Sequence, residues 1–488
     1  MAFLSRANQD TLWGNMSVTV NTVEPWQVAG RATQGQEVRG AVSHVGGTRL
    51  VFETGDPHLT LRLSEVLDPF RLLINGKEIP AGRAVVTSAV HNGSTWVCEV
   101  ALPENWFEGK LTALPAGPGQ KPAFDEFLRQ WQRLYALRPE YKIVLSDLHS
   151  LLTHLRLWLE EVELGLKSLD AAERAQRRQA IIEELDAPVV QSVNVLHERF
   201  EEITARLSPE EHPAHQSLCR RLLHPLFLCS PFGHRTYVKP LGYAGDYEMV
   251  NMIMRSPYEG PSLYAQAVNV WLLRQYPSQA HRHRIAFLTE KLIQETARVS
   301  LQKRPARIFN LGCGPAHEIQ KFLRESALSD WAEFTLLDFN QETIHHAREV
   351  LEKARQEHQR QCRIQLVKKS VMSLLKEAGK SSGPEAGVGY DLVYCAGLFD
   401  YLPDRTCQQL MNLFYQWLAP GGLLVATNVF PCQPFRHMLE YLLDWRLIYR
   451  DPRQMLALKP AAAPPETARV VSDLTGTNLM LEVRKPLT

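Results

Sequence analysis

Residues Ile308-Phe309-Asn310-Leu311-Gly312-Cys313-Gly314-Pro315-Ala316-His317-Glu318 set a glycine-rich loop between an apolar run and a helical pattern. A second apolar run ends at Leu336-Leu337-Asp338-Phe339. Strand, loop, helix, strand and acid in that order form the half of a doubly wound fold that binds a nucleoside. Gly312 and Gly314 let the chain turn tightly and approach a ligand that a Cβ would push away. Asp338 stands where a carboxylate accepts hydrogen bonds from both ribose hydroxyls. The spacing Gly312-x-Gly314-x-Ala316 departs from G-x-G-x-x-G, and Pro315 lacks the N–H that a pyrophosphate would use. A ligand with adenosine and no phosphates fits better. The glycines alone are equally consistent with a tight strand-to-helix turn that holds nothing.

A second segment is dense in glycine, aromatics and acids: Tyr237-Val238-Lys239-Pro240-Leu241-Gly242-Tyr243-Ala244-Gly245-Asp246-Tyr247-Glu248-Met249. One reading is a capped turn, in which Gly245 ends one element and Asp246 caps a helix from Tyr247 onward. The other is a lid over a bound ligand, with Tyr243 and Tyr247 excluding water and Asp246 touching the ligand. Arg235, Lys239, His283 and Arg284 are the nearby cations. Each suits a surface or a helix end as well as it suits a ligand.

The elements that must position these residues fall into three stretches. From about 15 to 115 the chain reads as β, with Thr48–Phe52 and Thr60–Leu63 alternating at period two. Ala84–Val90 and Thr95–Leu102 flank His91-Asn92-Gly93-Ser94, a hairpin signal because Asn-Gly tolerates positive φ. Pro115–Gly119 reads as a linker. From about 123 to 300 the chain reads as helix. Leu148, Leu151, Leu152, Leu155 and Trp158 mark one buried stripe. Ile181, Ile182, Leu185, Val190, Val193, Val195 and Leu196 mark another. From about 305, strands Arg307–Leu311, Phe334–Leu337, Arg363–Val367, Asp391–Cys395 and Leu423–Thr427 alternate with helices, which predicts a parallel sheet with right-handed crossovers. Ala468–Leu474 and Asn478–Val483, joined at Thr475-Gly476-Thr477, add an antiparallel hairpin. Lys380–Pro384 and Ala461–Pro465 read as loops. The expected divisions are 1–118, 123–300 and 301–488.

With 488 residues, several domains are expected. Near balance between 54 basic and 53 acidic residues offers no field for nucleic acid. Eight cysteines without a C-x-x-C pair indicate neither a zinc site nor a disulfide framework, and suit a reduced, cytoplasmic protein. No apolar run approaches the roughly 20 residues of a membrane span, and the start is not read as a signal peptide.

Residues from about 305 to 486 resemble the class I S-adenosylmethionine-dependent methyltransferases. Asn310-Leu311-Gly312-Cys313-Gly314-Pro315-Ala316 matches the first motif, and Asp338 the ribose-binding acid. Ser370-Val371 falls where the adenine ring rests. Asp391 to Leu402 matches the fourth strand and the lip of the transfer site, and Leu418 to Leu424 the turn into the fifth. The resemblance implies a Rossmann-like, seven-stranded α/β domain ending in an antiparallel hairpin. It also implies that Asn310, Gly312, Cys313, Gly314, Pro315, Ala316, Glu318, Asp338, Phe339, Ser370, Val371, Cys395 and Ala396 hold S-adenosylmethionine. Asn310 departs from the usual acid near the methionine amine and supplies no charge. Glu318 could replace that carboxylate, or could be a solvated acid favouring the helix dipole.

The Lys239–Met249 loop followed by Leu311–Ala316, with Trp445-Arg446-Leu447-Ile448-Tyr449-Arg450 near the end, resembles a narrower bacterial family. These are the methyltransferases of extracellular factor (3-hydroxypalmitic acid methyl ester) biosynthesis. That resemblance spans about 125 to 486, with the helical part as cap. It implies a lipid-like acceptor, the carboxylate of a 3-hydroxy fatty acid, and a quorum-sensing product. Val38-Arg39-Gly40-Ala41-Val42-Ser43-His44-Val45-Gly46-Gly47 is similar to the core turn of a PilZ-type β-barrel. The Arg-x-x-x-Arg element that would clamp phosphates is absent, so cyclic dinucleotide binding is not expected. A small β-barrel for scaffolding or dimerisation is.

Methyl transfer from a sulfonium is an in-line displacement that needs alignment and exclusion of water. A carboxylate acceptor is already ionised at neutral pH and needs no base. A hydroxyl or amine would want one, and His317, His234 and Asp246 are candidates. Phe399 and Tyr401 stand best to line the acceptor path, or belong to the core. Three functions remain open at this stage. They are a small-molecule carboxyl methyltransferase, a methyltransferase for a hydroxyl, amine or protein side chain, and a non-catalytic sensor with a donor-binding shell.

Overall fold

The computed structural model describes residues 26–32, 35–45, 48–54, 61, 65–74, 77–91, 96–103, 106, 121, 124, 125, 128, 129, 137–378 and 389–487. The chain divides into two compact units, Met1–Arg133 and Leu134–Thr488.

In the first unit β1 (Gln27–Arg31), β2 (Glu37–Val45), β3 (Arg49–Thr54), β4 (Val66–Ile74), β5 (Lys77–His91) and β6 (Trp96–Ala101) close an antiparallel barrel in the order β1-β2-β3-β6-β5-β4. Period-two alternation buries Leu50 and Phe52 on β3, while Arg49 and Glu53 face out. Phe52 and Phe70 meet inside at 6.2 Å. Gly40 is required by close approach, since a Cβ there would lie 2.6 Å from the Glu53 carbonyl. Two predicted strands were too short: the Thr48–Phe52 run extends to Thr54, and Ala84–Val90 is the end of the longer β5. Pro69, Pro80 and Gly82 hid β4 and the start of β5 from the alternation pattern. Thr60–Leu63 (apart from Leu61), Asn92–Ser94, Pro115–Gly119 and Lys380–Pro384 lie outside the described residues.

The second unit begins with α1 (Pro139–Gly165), α2 (Ala171–Ala205), α3 (His212–Phe227), α4 (Pro231–Val238), α5 (Tyr247–Met254), α6 (Leu263–Leu273) and α7 (Tyr276–Ser300). Their apolar faces form one core around Leu145, Leu152, Val193, Phe227 and Trp271. The predicted stripes hold except at two positions. Trp158 is 48% exposed and Val195 69% exposed, because Leu159 and Val193 occupy the inward positions beside them.

The sheet follows as β7 (Ala306–Leu311), β8 (Ala332–Asp338), β9 (Arg363–Lys368), β10 (Tyr390–Cys395), β11 (Leu418–Val429), β12 (Ala468–Ser472) and β13 (Asn478–Arg484). Its order is β12-β13-β11-β10-β7-β8-β9. β7 to β11 are parallel, and β13 and β12 add antiparallel pairings at one edge. The crossover helices are α8 (His317–Glu325), α9 (Gln341–Glu357), α10 (Val371–Ala378) and α11 (Asp404–Trp417). Near-continuous apolar runs make these strands, since helices cover both faces. β11 starts earlier than predicted, because a bulge lets Leu418–Gly422 join through Gly421 at φ 74°. β12 ends at Ser472, two residues short of the prediction, where Asp473 caps the turn through Thr475 N and Asn478 N.

Buried carboxylates fix the register between elements. Asp391 on β10 takes both guanidinium nitrogens of Arg304 at 2.7 Å and also the Arg307 N–H. Glu295 on α7 holds Arg484 of β13 at 2.6 and 2.8 Å. After β11 the chain returns to the helices as α12 (Arg436–Leu442), whose first N–H groups are capped by Glu201 of α2 at 2.7 and 3.0 Å. The helices and the C-terminal ends of the strands thereby enclose one chamber. Among the described residues no helix is long and apolar enough to cross a membrane.

Candidate active site

The chamber is a cavity of about 480 Å³ at the C-terminal ends of β7, β8, β10 and β11, where an open α/β sheet places its ligands. One side is polar and comes from the sheet: Asn310 through Glu318, Asp338, Phe339, Lys369, Val371, Ala396, Gly397 and Asp400. The other is mainly apolar and comes from helices and the strap after α12: Phe232, Val250, Ile253, Leu272, Leu439, Leu443, Trp445 and Leu447.

The loop explains why a phosphate-free ligand suits it. Gly312 N and Cys313 N both donate to the Leu337 carbonyl at 2.8 and 3.1 Å. Gly314 N donates to Asp338 Oδ2 at 3.2 Å and Ala316 N to the Cys313 carbonyl at 3.0 Å. Pro315 has no N–H, so the loop keeps none of these donors for a pyrophosphate. Gly312, Gly314 and Ala316 take φ of 77, 53 and 55°, and the left-handed Ala316 starts α8. Asn310 is 1% exposed and lines the cavity, and its Oδ1 has no hydrogen-bond partner among the described residues. Such an orphaned acceptor fits a donor group on a ligand. Asp338 is 6% exposed, and burial raises its carboxyl despite N–H bonds from Gly314 and Asn340. Glu318 is buried rather than solvated. It accepts from Tyr394 Oη at 2.8 Å, and burial raises its carboxyl as well.

The second predicted motif closes over the same space. Tyr243 and Tyr247 line the cavity. Tyr243 packs on Phe339 at 5.3 Å, and burial pushes its phenol up to about 12. Tyr247 stacks on His346 at 4.5 Å and donates to Glu342 at 2.7 Å. Asp246, between them, is not among the lining residues. It receives Met249 N at 2.8 Å as the cap of α5, and both oxygens take the Arg235 guanidinium at 2.8–3.1 Å. The capped-turn alternative describes that residue, because a cap and a bidentate ion pair use its acceptors. Gly245 passes so close to Tyr401 that a Cβ would lie 2.6 Å from its hydroxyl, which Trp445 Nε1 meets at 2.8 Å.

His317 lines the cavity and is neutral. Burial is the main cause of a pKa of about 4, and Nε2 pairs with Asn251 Oδ1 at 2.8 Å. Val371, Ala396 and Tyr401 also line the cavity. Six other candidate residues do not. Phe399 is 0% exposed within the sheet core, because the short turn at 399–401 sends it inward and Asp400 and Tyr401 outward. Cys395 is core. Ser370 is exposed and caps α10 through Ser373 N. His234 is exposed, and Lys239 and His283 pair with Asp444 and Asp473. Of the nearby cations only Arg284 faces the cavity, together with His281.

Sequence reasoning missed His281, Lys369, Asp400 and Trp445. Asp400 sits inside the Asp391–Leu402 run, and its side chain accepts Val429 N at 2.7 Å while burial pushes its carboxyl up to about 6. Trp445 heads the Trp445–Arg450 segment that carried the narrower resemblance, though not as a site residue, and His281 and Lys369 carried no local signal. The whole arrangement can seat a nucleoside against Asp338, shield a reacting centre with Tyr243, Tyr401 and Trp445, and accept an apolar body among the helices.

No curated protein matches the chain. Among solved structures, it is similar to a possible exported protein from Bordetella parapertussis, at 17% identity over 65% of this chain and 99% of that one, with TM-score 0.38. It is similar to the N-methyltransferase NodS from Bradyrhizobium japonicum in complex with S-adenosyl-L-homocysteine, at 16% over 49% and 98%, TM-score 0.29. It is also similar to magnesium protoporphyrin IX methyltransferase from Synechocystis with the same product bound, at 11% over 43% and 87%, TM-score 0.31. The glycine loop, Asp338 and the rim after β10 all lie within residues 309–424, the segment that matches the methyltransferase-domain family.

Proposed function

We propose that this protein transfers a methyl group from S-adenosylmethionine to the carboxylate of a small amphipathic acid, of which a 3-hydroxy fatty acid is the expected example. The observation that carries this reading is one cavity shared by the Asn310–Ala316 loop, Asp338 and the apolar helical wall. The donor supplies an electrophilic methyl on a sulfonium. Asp338 receives the ribose hydroxyls. Asn310 Oδ1 and Glu318 receive the amino group. Val371 lies beside the adenine. Tyr243, Tyr401 and Trp445 hold the lid and strap together and keep water from the reacting atoms. The apolar wall, from Ile253 to Leu443, seats the acyl body and so aligns its head with the methyl.

The test is turnover of methyl-labelled donor with 3-hydroxypalmitate and the full chain. A labelled product that mild alkali cleaves is expected. Label that resists alkali would point to another acceptor atom. No calorimetric affinity for S-adenosylhomocysteine in the folded protein would overturn methyl transfer altogether.

A base-dependent acceptor, a hydroxyl or amine, is the second reading, favoured by Asp400 at the cavity wall with its carboxyl near 6. A base works only when ionised, so such a reaction would slow as pH falls through about 6. An acid acceptor is already charged there, and the rate is expected to stay level from pH 7 down to about 5.5. A drop in kcat/KM with its midpoint near 6 would assign Asp400 as base and move the acceptor to a hydroxyl or amine.

A further inference from the structure

Arg284 is a buried cation with no carboxylate paired to it among the described residues. It lies on α7, one turn from His281 and one from Leu288, on the face that closes the cavity. The residue is 9% exposed. Its Nη2 donates to the His281 ring, 2.9 Å from Nδ1 and 3.3 Å from Nε2. His281 is held neutral, first by burial and then by Arg284 itself. Asp400 and Glu318 attract the guanidinium, yet among the described residues no carboxylate oxygen lies within 4.0 Å of it. Asp400 is engaged with Val429 N, and Glu318 with Tyr394. Lys369, the other lining side chain of lysine or arginine type, already pairs with Glu377 at 2.8 Å.

The chain also keeps room for this group. Gly397 follows β10 at φ 83°, and a Cβ there would sit 3.0 Å from Arg284 Nη1. The turn calls for glycine, and the absence of a Cβ also spares the guanidinium a tight contact. A buried charge without its counter-ion costs several kcal/mol, so a fold that keeps one beside a cavity is poised for an anionic ligand. The planar fork of arginine matches a carboxylate through two parallel hydrogen bonds.

We propose that Arg284 anchors a carboxylate-binding subsite in this cavity, beside Gly397. The inference rests on the methyl-transfer reading, in which two bound molecules carry a carboxylate: the amino-acid end of the donor and the head of the acceptor. The shared chemistry is the same, and the test separates the sources.

Affinities are measured by calorimetry on the full chain, wild type and Arg284→Gln. One probe pair is S-adenosylhomocysteine and methylthioadenosine, which lacks the amino-acid end. The other is 3-hydroxypalmitate and its methyl ester. Arg284→Gln is expected to lose at least about tenfold affinity for one acid and to leave its carboxylate-free counterpart unchanged. Loss within the first pair assigns the donor's carboxylate, and loss within the second the acceptor's. Unchanged affinity for both acids overturns the subsite. Where the variant fails to fold, the wild type decides: no preference for either acid over its counterpart overturns it equally. Failure of the wild type to bind S-adenosylhomocysteine refutes the methyl-donor reading separately, while the acid and ester pair still tests Arg284.

Discussion

Asp338→Ala is expected to weaken S-adenosylhomocysteine binding by about 1–3 kcal/mol, the range for losing charge-assisted hydrogen bonds. The carboxylate is 6% exposed and lies at the end of β8, beside the cavity. It does two things there. Oδ2 accepts Gly314 N at 3.2 Å and Oδ1 accepts Asn340 N at 3.0 Å, which holds the glycine loop and the start of α9 in place. Each oxygen retains acceptor capacity for a ribose hydroxyl. Asp338→Asn separates the two roles, because its amide oxygen still accepts one N–H while the charge is gone. The alanine variant should therefore bind more weakly than the asparagine variant. Calorimetry on both proteins measures this. Unchanged affinity in Asp338→Ala would mean that the ribose lies elsewhere.

Arg450→Met is expected to destabilise the second unit by about 3–5 kcal/mol, the cost of leaving several buried acceptors unmet at about 1–3 kcal/mol each. Arg450 is 2% exposed. Its guanidinium donates to the Phe399 carbonyl at 2.8 Å, the Leu402 carbonyl at 2.7 Å, the Asn428 side chain and Asp404 at 2.7 and 2.9 Å. Asp404 is exposed and regains water when the arginine is lost. The two carbonyls and Asn428 do not, and unmet buried acceptors account for most of the expected loss. These same groups hold the 399–402 turn, which aims Asp400 and Tyr401 into the cavity. Turnover should fall together with stability. Urea unfolding with far-UV circular dichroism measures the first quantity. A loss below about 1 kcal/mol would show that packing, and not this network, holds the turn.

The legible parts of the site were those with local chemistry. Gly312, Gly314, Pro315 and Asp338 announce their roles through backbone freedom, a missing N–H and a strand-end acid. Tyr243 and Tyr247 stood out because a glycine- and aromatic-rich loop is unusual between helices. Asp246 was ambiguous in the sequence because a cap and a ligand both want a carboxylate. In the structure it caps α5 through Met249 N and pairs with Arg235 through both oxygens. Phe399 and Tyr401 were indistinguishable as neighbouring aromatics, and one short helical turn sends the first to the core and the second to the cavity.

Residue order alone determined the alternation of strands and helices, the hairpin at the sheet edge and the phosphate-free character of the glycine loop. Each of these is set by neighbours within a few positions, through periodicity, turn chemistry and backbone freedom. Tertiary structure alone decided what faces the donor loop. Arg284, Asp400, Leu443 and Trp445 come from α7, the rim after β10 and the strap after α12. They share one cavity because Glu201 caps α12 and Arg450 pins the 399–402 turn. No spacing in the chain encodes that meeting, since burial and long-range ion pairs, not sequence distance, determine which side chains face the same space.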